Sequence, residues 1–259
     1  MSGRLAAMRR RLPLLLTLAV LAVVLRDLGL ADASRLARGM SNIGIFSRDL
    51  FPPDFSVALT VGWAVIETVE IAFAGTLLGF ALALPIALIA TPAVSGALVA
   101  AVLRAGLAFV RTIPALLWAI LFVVAVGLGP AAGTLAVAMY SLGYMGKLFT
   151  DAFDGVDPEV VEAVRAVGAG PVQLARLTIL PEASHAVLAQ LLFVFEYNVR
   201  ASSILGFVGA GGVGFYLLGY VQALQYDRLM TALLVTFAAV IVIDMLGERI
   251  RRRYLIPAT

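Results

Sequence analysis

Long blocks of apolar residues are the feature that most restricts how this chain can fold. A helix crosses the hydrocarbon core of a bilayer with roughly 20 largely apolar residues, and several blocks of this kind occur here. Of the 259 residues, 62% are hydrophobic and 14% are charged, whereas soluble domains carry roughly 45–50% apolar and about 25% charged residues. The sequence therefore predicts an all-α membrane protein.

We expect about six membrane-spanning helices. The predicted spans are residues 12–25, 62–90, 98–127, 131–149, 186–208 and 229–246. The first block follows a cluster of arginines, as in a signal peptide, but no small-residue cleavage site comes after it, so we favour an uncleaved first span. The third block is interrupted by Arg104, Arg111 and Pro114.

The polar segments between these blocks predict the domain organisation and the orientation. The predicted parts are an N-terminal span with an outside segment (1–56), a core domain (57–250) that contains a polar loop (150–182), and a tail (251–259). Six spans place both termini and the polar loop on one side, and roughly two thirds of the Lys and Arg residues fall on that side as well. Because positively charged segments stay in the cytoplasm, the sequence predicts a multi-pass protein with both termini cytoplasmic.

The residue inventory excludes several kinds of site. The chain has no cysteine and one histidine, so we predict neither a thiolate nucleophile nor a metal site. No G-x-x-x-x-G-K-[ST] motif occurs, so the chain is not expected to hydrolyse ATP itself. Residues 209–214 fit G-x-G-x-x-G, but a dinucleotide site needs a preceding strand, and here a membrane helix precedes. The net charge is only +3, and the basic residues lie at the ends of the predicted spans. This distribution indicates the orientation of the protein in the membrane and not a nucleic-acid-binding surface.

The polar loop carries local signals for a helix, a bend and a second helix. Asp157 is a natural N-cap, and Pro158 stands at the first helical position, where its missing N–H costs nothing. Gly168 follows about three turns later and predicts the helix stop. Pro171 can open a second helix, which we expect Pro181 to break.

The loop resembles the EAA loop of importer permeases in the ATP-binding cassette superfamily, through Glu162-Ala163, Gly168 and Leu180-Pro181. In that family the loop forms a coupling helix that docks on a cytoplasmic ATPase. The resemblance implies the type I importer permease fold, no catalysis by this chain, and ATP and Mg²⁺ bound only by the partner. The residues expected to couple to the ATPase are Glu159, Glu162, Ala163, Arg165, Gly168, Leu180 and Pro181. Val164 and Thr178 depart from the usual pattern without removing the charge or the bend.

Five further stretches are similar to phosphonate-type permeases of that superfamily. They read Arg-Thr-Ile-Pro at 111–114 with Leu-Leu-Trp at 116–118, Gly-Leu-Gly-Pro at 127–130, Gly-Lys-Leu-Phe at 146–149, Phe-Glu-Tyr-Asn-Val-Arg-Ala at 195–201, and a glycine-rich run at 206–214. The resemblance implies import of a phosphorus oxyanion (phosphonate, phosphite or phosphate) across a bacterial inner membrane. The partners implied are cytoplasmic ATPase subunits, an extracytoplasmic solute-binding protein, a second copy of this chain and membrane lipid, with no nucleic acid.

Charged residues inside the predicted spans are candidates for the path of the solute, because a charge at the bilayer centre costs at least ~2.5–3.5 kcal/mol. Glu196 and Arg200 lie four residues apart, which predicts a mutually neutralising pair; alternatively, they border the path and Arg200 donates to the anion. Glu67 and Glu70 are assigned an interfacial or gating role. The glycines of 209–214 permit a tight re-entrant turn, which the resemblance places at the outer gate. The residues expected at the path or gate are Arg111, Pro114, Glu196, Asn198, Arg200, Gly209, Gly211, Gly212 and Gly214.

Three alternatives stay open. The first is the same importer architecture carrying another solute, such as methionine. The second is a secondary transporter driven by an ion gradient, which predicts no ATPase partner and usually shows inverted repeats. The third is an intramembrane enzyme, which needs convergent catalytic groups, and no Ser/Lys, Asp/Asp or His/Glu constellation occurs at workable spacing.

Overall fold

The structure, a computed structural model, describes residues 2–254, with the side chains of 2–12, Leu15 and Tyr254 outside that description. Twelve α-helices are present in this range. They are α1 (Ser2–Asp27), α2 (Ala33–Asp49), α3 (Ala58–Ile89), α4 (Pro92–Ser95), α5 (Ala97–Thr112), α6 (Ala115–Val126), α7 (Pro130–Asp154), α8 (Pro158–Ala166), α9 (Pro171–Leu174), α10 (Leu180–Leu205), α11 (Val213–Gln222) and α12 (Tyr226–Tyr254). The helical prediction is confirmed.

Two compact units make up the chain, Met1–Pro52 and Pro53–Thr259. In the first unit, α1 confirms a helix over the first predicted span. The amphipathic α2 begins at Asp32, whose carboxylate accepts hydrogen bonds from the Ser34 and Arg35 amides at 2.9 and 3.2 Å. This helix lies within the predicted outside segment. Residues 255–259 of the predicted tail lie outside the described residues.

The second unit is built around α7, which packs along α3 over much of its length. Small residues allow the close approach: a Cβ on Gly75 would lie 2.6 Å from the Cβ of Val137, and one on Gly79 would lie 2.5 Å from the Cβ of Ser141. Small residues at contacts are typical of helix pairs in membranes, where dispersion contacts replace the hydrophobic effect. The sequence of α7 thus fits an interior helix.

The sequence predicts six membrane spans, but fewer than six of the described helices are long and apolar enough to be one. Among the described residues, Phe55–Ile89, Pro171–Val208 and Tyr226–Arg253 meet both requirements, and α5 with α6 adds a fourth if they form one span. The helix α7 covers the fourth predicted span, but it is rich in glycine and polar residues because it faces protein on most sides. The count of six stays a prediction.

The third predicted span is not one helix. The axes of α5 and α6 meet at 85°. Ile113 between them is extended (φ −87°, ψ 117°), because a residue that precedes proline is driven out of the helical region. Pro114 is the N-cap of α6, which begins at Ala115, and its nitrogen carries no hydrogen that needs an acceptor. The chain therefore turns sharply at the Arg-Thr-Ile-Pro stretch.

A core of large side chains fills the end of the bundle next to the polar loop. Phe149 and Phe153 of α7 pack there with Leu174 and Ile179, and each of these four is at most 2% exposed. The rings of Phe80 and Phe149 meet edge to face with centroids 5.8 Å apart. This core joins the loop to the long helices on both sides of it.

Candidate functional site

The first predicted site, the helix and bend of the polar loop, forms as the sequence indicates. The carboxylate of Asp157 accepts the Glu159 amide at 2.8 Å, and Pro158 is the first residue of α8. The helix ends at Ala166, and Gly168 takes the left-handed conformation (φ +86°) that a non-glycine residue avoids. Both boundaries follow from local chemistry, so the prediction of this helix and bend is confirmed.

The helix α8 has two faces with different environments. Val161 and Val164 pack against the core that contains Phe153 and Ile179, and Arg165 donates to the Ala93 carbonyl of α4. The predicted coupling residues that are exposed to solvent are Glu159, Glu162, Ala163, Arg165, Gly168 and Pro181, while Leu180 is half-buried. The helix is therefore held to the bundle on one side and open to a partner on the other.

Large apolar side chains also stand exposed around α8. Val167, Val172 and Leu177 are 84%, 77% and 68% exposed. Such residues are ordinarily distributed singly on a protein surface, and a group of them marks an interaction site. Together with Glu159 and Glu162 they give this end of the molecule an apolar surface edged by acidic groups.

The second helix of the loop is not broken at Pro181 as predicted. The helix α9 leads into a π turn (Ala175–Ile179), and α10 begins at Leu180 with Pro181 inside its first turn. The wider π turn accommodates the proline ring, and the Leu180 amide bonds to the Ala175 carbonyl five residues back. Residues 171–208 therefore form one long helical element, which connects the loop rigidly to the fifth predicted span.

The predicted Glu196–Arg200 pair does not form. Glu196, 6% exposed, accepts from Arg251 of α12 at 2.7 Å, and Arg200 binds both carboxylate oxygens of Asp244 at 2.8 and 3.0 Å. Side chains on neighbouring antiparallel helices reach one another more directly here than side chains one turn apart. A Cβ on Gly247 would lie 1.8 Å from the Glu196 carboxylate, so this glycine makes room for the pair.

Asn198 lies inside the bundle and not on an open path. Its amide donates to the Thr76 hydroxyl at 2.8 Å and to the Ser141 hydroxyl at 2.7 Å, and the residue is 1% exposed. These bonds join α3, α7 and α10. In this conformation Asn198 therefore fastens three helices together, which does not agree with its predicted place along the path.

The glycine-rich run forms the tight turn predicted from its composition. Gly209, Gly211 and Gly212 have φ of +81°, +84° and +77°. Gly214 allows α11 to approach α10, because a Cβ there would lie 2.2 Å from the Ser203 carbonyl oxygen. The turn is also tied to the start of α7, because the Gly129 amide donates to the Gly209 carbonyl at 2.8 Å.

Glu67 has a specific role at this turn. Its carboxylate accepts the Gly212 amide at 3.1 Å, and the Thr68 hydroxyl accepts the Val213 amide at 2.8 Å. The two side chains thereby satisfy N–H groups at the start of α11. The turn borders an open cavity of about 280 Å³, and Glu67 lies on its wall; the gating role of Glu67 stays a prediction.

Arg111 and Pro114 lie at the sharp bend between α5 and α6. Arg111 is exposed, and its backbone crosses α7 at Gly143, where an added Cβ would lie 2.8 Å from the Arg111 nitrogen. It also lines a cavity of about 200 Å³ between α5 and α7. The bend therefore brings an exposed cation to the surface of the central helix.

Sequence reasoning missed several partners at these sites. Thr68, Asp244 as the partner of Arg200, and Arg251 as the partner of Glu196 lie between 44 and 145 positions from the groups that they bind. No local pattern signals contacts at such separations. Each of them depends on how two helices are placed side by side.

Comparison with known proteins agrees with this architecture. Residues 75–255 match the model of a family described as binding-protein-dependent transport system inner membrane component. A phosphite transport system permease protein of Stutzerimonas stutzeri is 36% identical over 87% of this chain and 82% of its own length. A phosphate-import permease protein of Mycolicibacterium smegmatis is 40% identical over 82% of this chain but only 40% of its own length.

A solved structure shares the fold. It is a methionine ABC transporter in inward-facing conformations, with a TM-score of 0.65 and 26% identity, covering 77% of this chain and 97% of the matched chain.

Proposed function

Because this chain belongs to the binding-protein-dependent transport system inner membrane components, we propose that it is the permease subunit of an ATP-driven importer for a phosphorus oxyanion. The solute is phosphite, phosphate or a phosphonate. This choice is supported by two relatives of 36% and 40% identity whose names state phosphite transport and phosphate import. The chain provides the path, and a separate subunit hydrolyses ATP.

One observation carries the coupling part of the proposal. The helix α8 is packed on the core through Val161 and Val164 and presents Glu159 and Glu162 to solvent. A helix fixed on one face and open on the other can transmit force from a partner into the bundle. We place the ATPase, with its ATP and Mg²⁺, against this open face in the cytoplasm.

The proposed assembly contains further subunits. Two copies of the chain would enclose one path on their common axis, each engaging an ATPase subunit. A solute-binding protein would dock outside, over the turn that contains Gly209 and Gly212. Both termini would lie in the cytoplasm, as the distribution of Lys and Arg indicates, and lipid would surround the apolar exterior.

The most direct test of coupling is charge reversal on α8. In Glu162→Lys the exposed carboxylate becomes a cation, and we expect loss of co-purification with the cognate ATPase together with loss of uptake. Asp49→Lys makes the same charge change at an exposed site of the predicted outside segment and should leave both unchanged. Retention of co-purification and uptake by Glu162→Lys would disprove the proposed role of α8.

The identity of the solute needs a separate experiment. Methionine is the second candidate, because a methionine transporter shares the fold at 26% identity. Uptake of labelled phosphate by the complete transporter should be inhibited by excess phosphite or methylphosphonate and not by excess methionine. Uptake of labelled methionine, without uptake of labelled phosphate, phosphite or methylphosphonate, would assign the chain to amino-acid import.

A further inference from the structure

Three tyrosines form a stacked cluster on the surface of the bundle. Tyr140 and Tyr144 lie one turn apart on α7 with ring centroids 5.8 Å apart, and Tyr197 of α10 stacks on both at 5.7 and 6.5 Å. Tyr197 is 42% exposed, and the other two are half-buried. Each ring carries one hydroxyl that can donate a hydrogen bond, and the Tyr140 hydroxyl interacts with that of Tyr197.

Arg111 lies beside this cluster. Its backbone crosses α7 at Gly143, between the two tyrosines of that helix, and its guanidinium interacts electrostatically with Tyr140. Arg111 is exposed, and none of the carboxylates in the described part of the chain forms an ion pair with it. An unpaired guanidinium facing lipid hydrocarbon would cost at least ~2.5–3.5 kcal/mol, so Arg111 requires water or an anionic group as its partner.

A small cavity continues from Arg111 along the same face of α7. It has a volume of about 200 Å³. Its lining residues are Arg104, Leu107, Ala108, Arg111, Lys147 and Thr150. Two of its three cations already have partners, because Arg104 binds Asp154 at 2.8 Å and Lys147 binds Asp151. Arg111 is therefore the cation of this cavity that has no carboxylate partner and can interact with a ligand.

The residues follow one another along one stripe of α7. Tyr140, Tyr144, Lys147 and Asp151 are spaced by four, three and four positions, which places them on one helix face. The stripe runs from the middle of the bundle towards the end that carries α8. A solute that moved along it would leave the tyrosine hydroxyls, pass Arg111 and reach Lys147.

From this arrangement we infer that Arg111, the hydroxyls of Tyr140, Tyr144 and Tyr197, and the adjoining cavity form a binding station for an oxyanion on the translocation path. The guanidinium supplies planar, charge-assisted donors that fit phosphate-like oxygens, and the hydroxyls supply neutral donors. A single uncompensated charge in an open site binds weakly, which allows release. The inference rests on the proposed import of a phosphorus oxyanion.

The absence of cysteine from the chain permits a test that does not depend on transport. Ala108→Cys places a thiol in the cavity, and Val102→Cys places one on an exposed part of α5 that does not line it. The complete transporter is treated with anionic and cationic methanethiosulfonates in detergent without phospholipid. We expect the ratio of the anionic to the cationic rate to be roughly tenfold higher in Ala108→Cys than in Val102→Cys, because positive clefts concentrate anions. Millimolar phosphate or methylphosphonate should slow the anionic reagent in Ala108→Cys.

The outcomes of this test are distinct. The same ratio of anionic to cationic rates in Ala108→Cys and Val102→Cys, or a rate in Ala108→Cys that phosphate does not change, would disprove the proposed station. If the thiol of Ala108→Cys is protected only after anionic phospholipid is added, the cavity binds a lipid headgroup. That result would also disprove the proposed station. The thiol of Val102→Cys supplies the reference ratio of the two rates and should not be protected by phosphate.

A second test measures phosphate moved per ATP hydrolysed. Arg111→Gln should lower this ratio roughly tenfold, the factor for one charge-assisted hydrogen bond. Arg111→Lys should restore part of it, and Tyr197→Phe, which keeps the ring, should lower it less. Arg252→Gln, at an exposed pair with Glu248, should leave it unchanged. An unchanged ratio in Arg111→Gln would refute the station, whereas wild-type uptake without ATPase or binding protein would refute the proposed function itself.

Discussion

At the scale of single residues, the two charged groups of α10 that lie one turn apart are paired with α12 and not with each other. Glu196 and Arg200 point to different partners on α12, Arg251 and Asp244. The sequence predicted that both charges need a partner, because the cost of a charge in lipid is general. It did not predict which partner, because the distance between α10 and α12 is set by the packing of the whole unit.

The first prediction concerns the buried carboxylate at this interface. Glu196→Gln leaves Arg251, 30% exposed, without its counter-charge. Breaking one side of a buried pair is strongly destabilising, and with this partial exposure we expect a loss of about 2 kcal/mol in the free energy of unfolding. Glu248→Gln, the same change at a pair exposed by 55% and 73%, should cost less than about 1 kcal/mol. Equal losses in thermal unfolding would contradict the assignment.

The second prediction concerns pH. Asp54 accepts hydrogen bonds from Ser56 and from Arg228, the latter at 3.0 Å, and these bonds lower the pKa of its carboxyl group. A lowered pKa means that the charged form favours the folded state, so this stabilisation is present above the ordinary value of about 4 and is lost as the pH falls below it. Thermal unfolding of the wild type should therefore lose stability below about pH 4 more steeply than that of Asp54→Asn. Identical pH profiles would contradict the prediction.

At the scale of elements, the polar loop was predictable where its signals are local. Asp157, Pro158 and Gly168 fix the two ends of α8 through their own backbone chemistry. Pro181 was misread because a proline normally ends a helix. Here a π turn in the preceding residues accommodates it, and the position of that turn depends on Leu174 and Ile179 being buried in the core.

The third prediction concerns two glycines of α11. A Cβ on Gly214 would lie 2.2 Å from the Ser203 carbonyl oxygen, a backbone atom that cannot rotate away, whereas nothing lies within 4 Å of a Cβ on Gly219. Gly214→Ala should therefore destabilise the protein by about 1–3 kcal/mol, the usual cost of overpacking. Gly219→Ala should be neutral or stabilising by up to about 1 kcal/mol, because alanine favours a helix. Thermal unfolding of the two variants in parallel checks this, and a smaller effect for Gly214→Ala would contradict it.

At the scale of the whole molecule, composition predicted the environment and the helical class but not the arrangement. The apolar blocks indicated membrane helices, and large side chains on these helices, such as Trp63 and Phe237, are 66% and 64% exposed. The sharp bend at Pro114 and the interior position of α7 were not predicted. The bend has a local cause in the residue before Pro114, whereas the position of α7 follows from contacts such as Gly79 with Ser141, which join residues far apart in the chain.

We propose that α8 transmits force from a separate ATPase into the bundle. Reconstituted transport measures whether uptake depends on that ATPase. Vesicles are prepared with this chain, the ATPase and the solute-binding protein, and then with each component left out in turn. We predict uptake of labelled phosphate only when all three and ATP are present. Uptake at an undiminished rate by this chain alone would contradict the account.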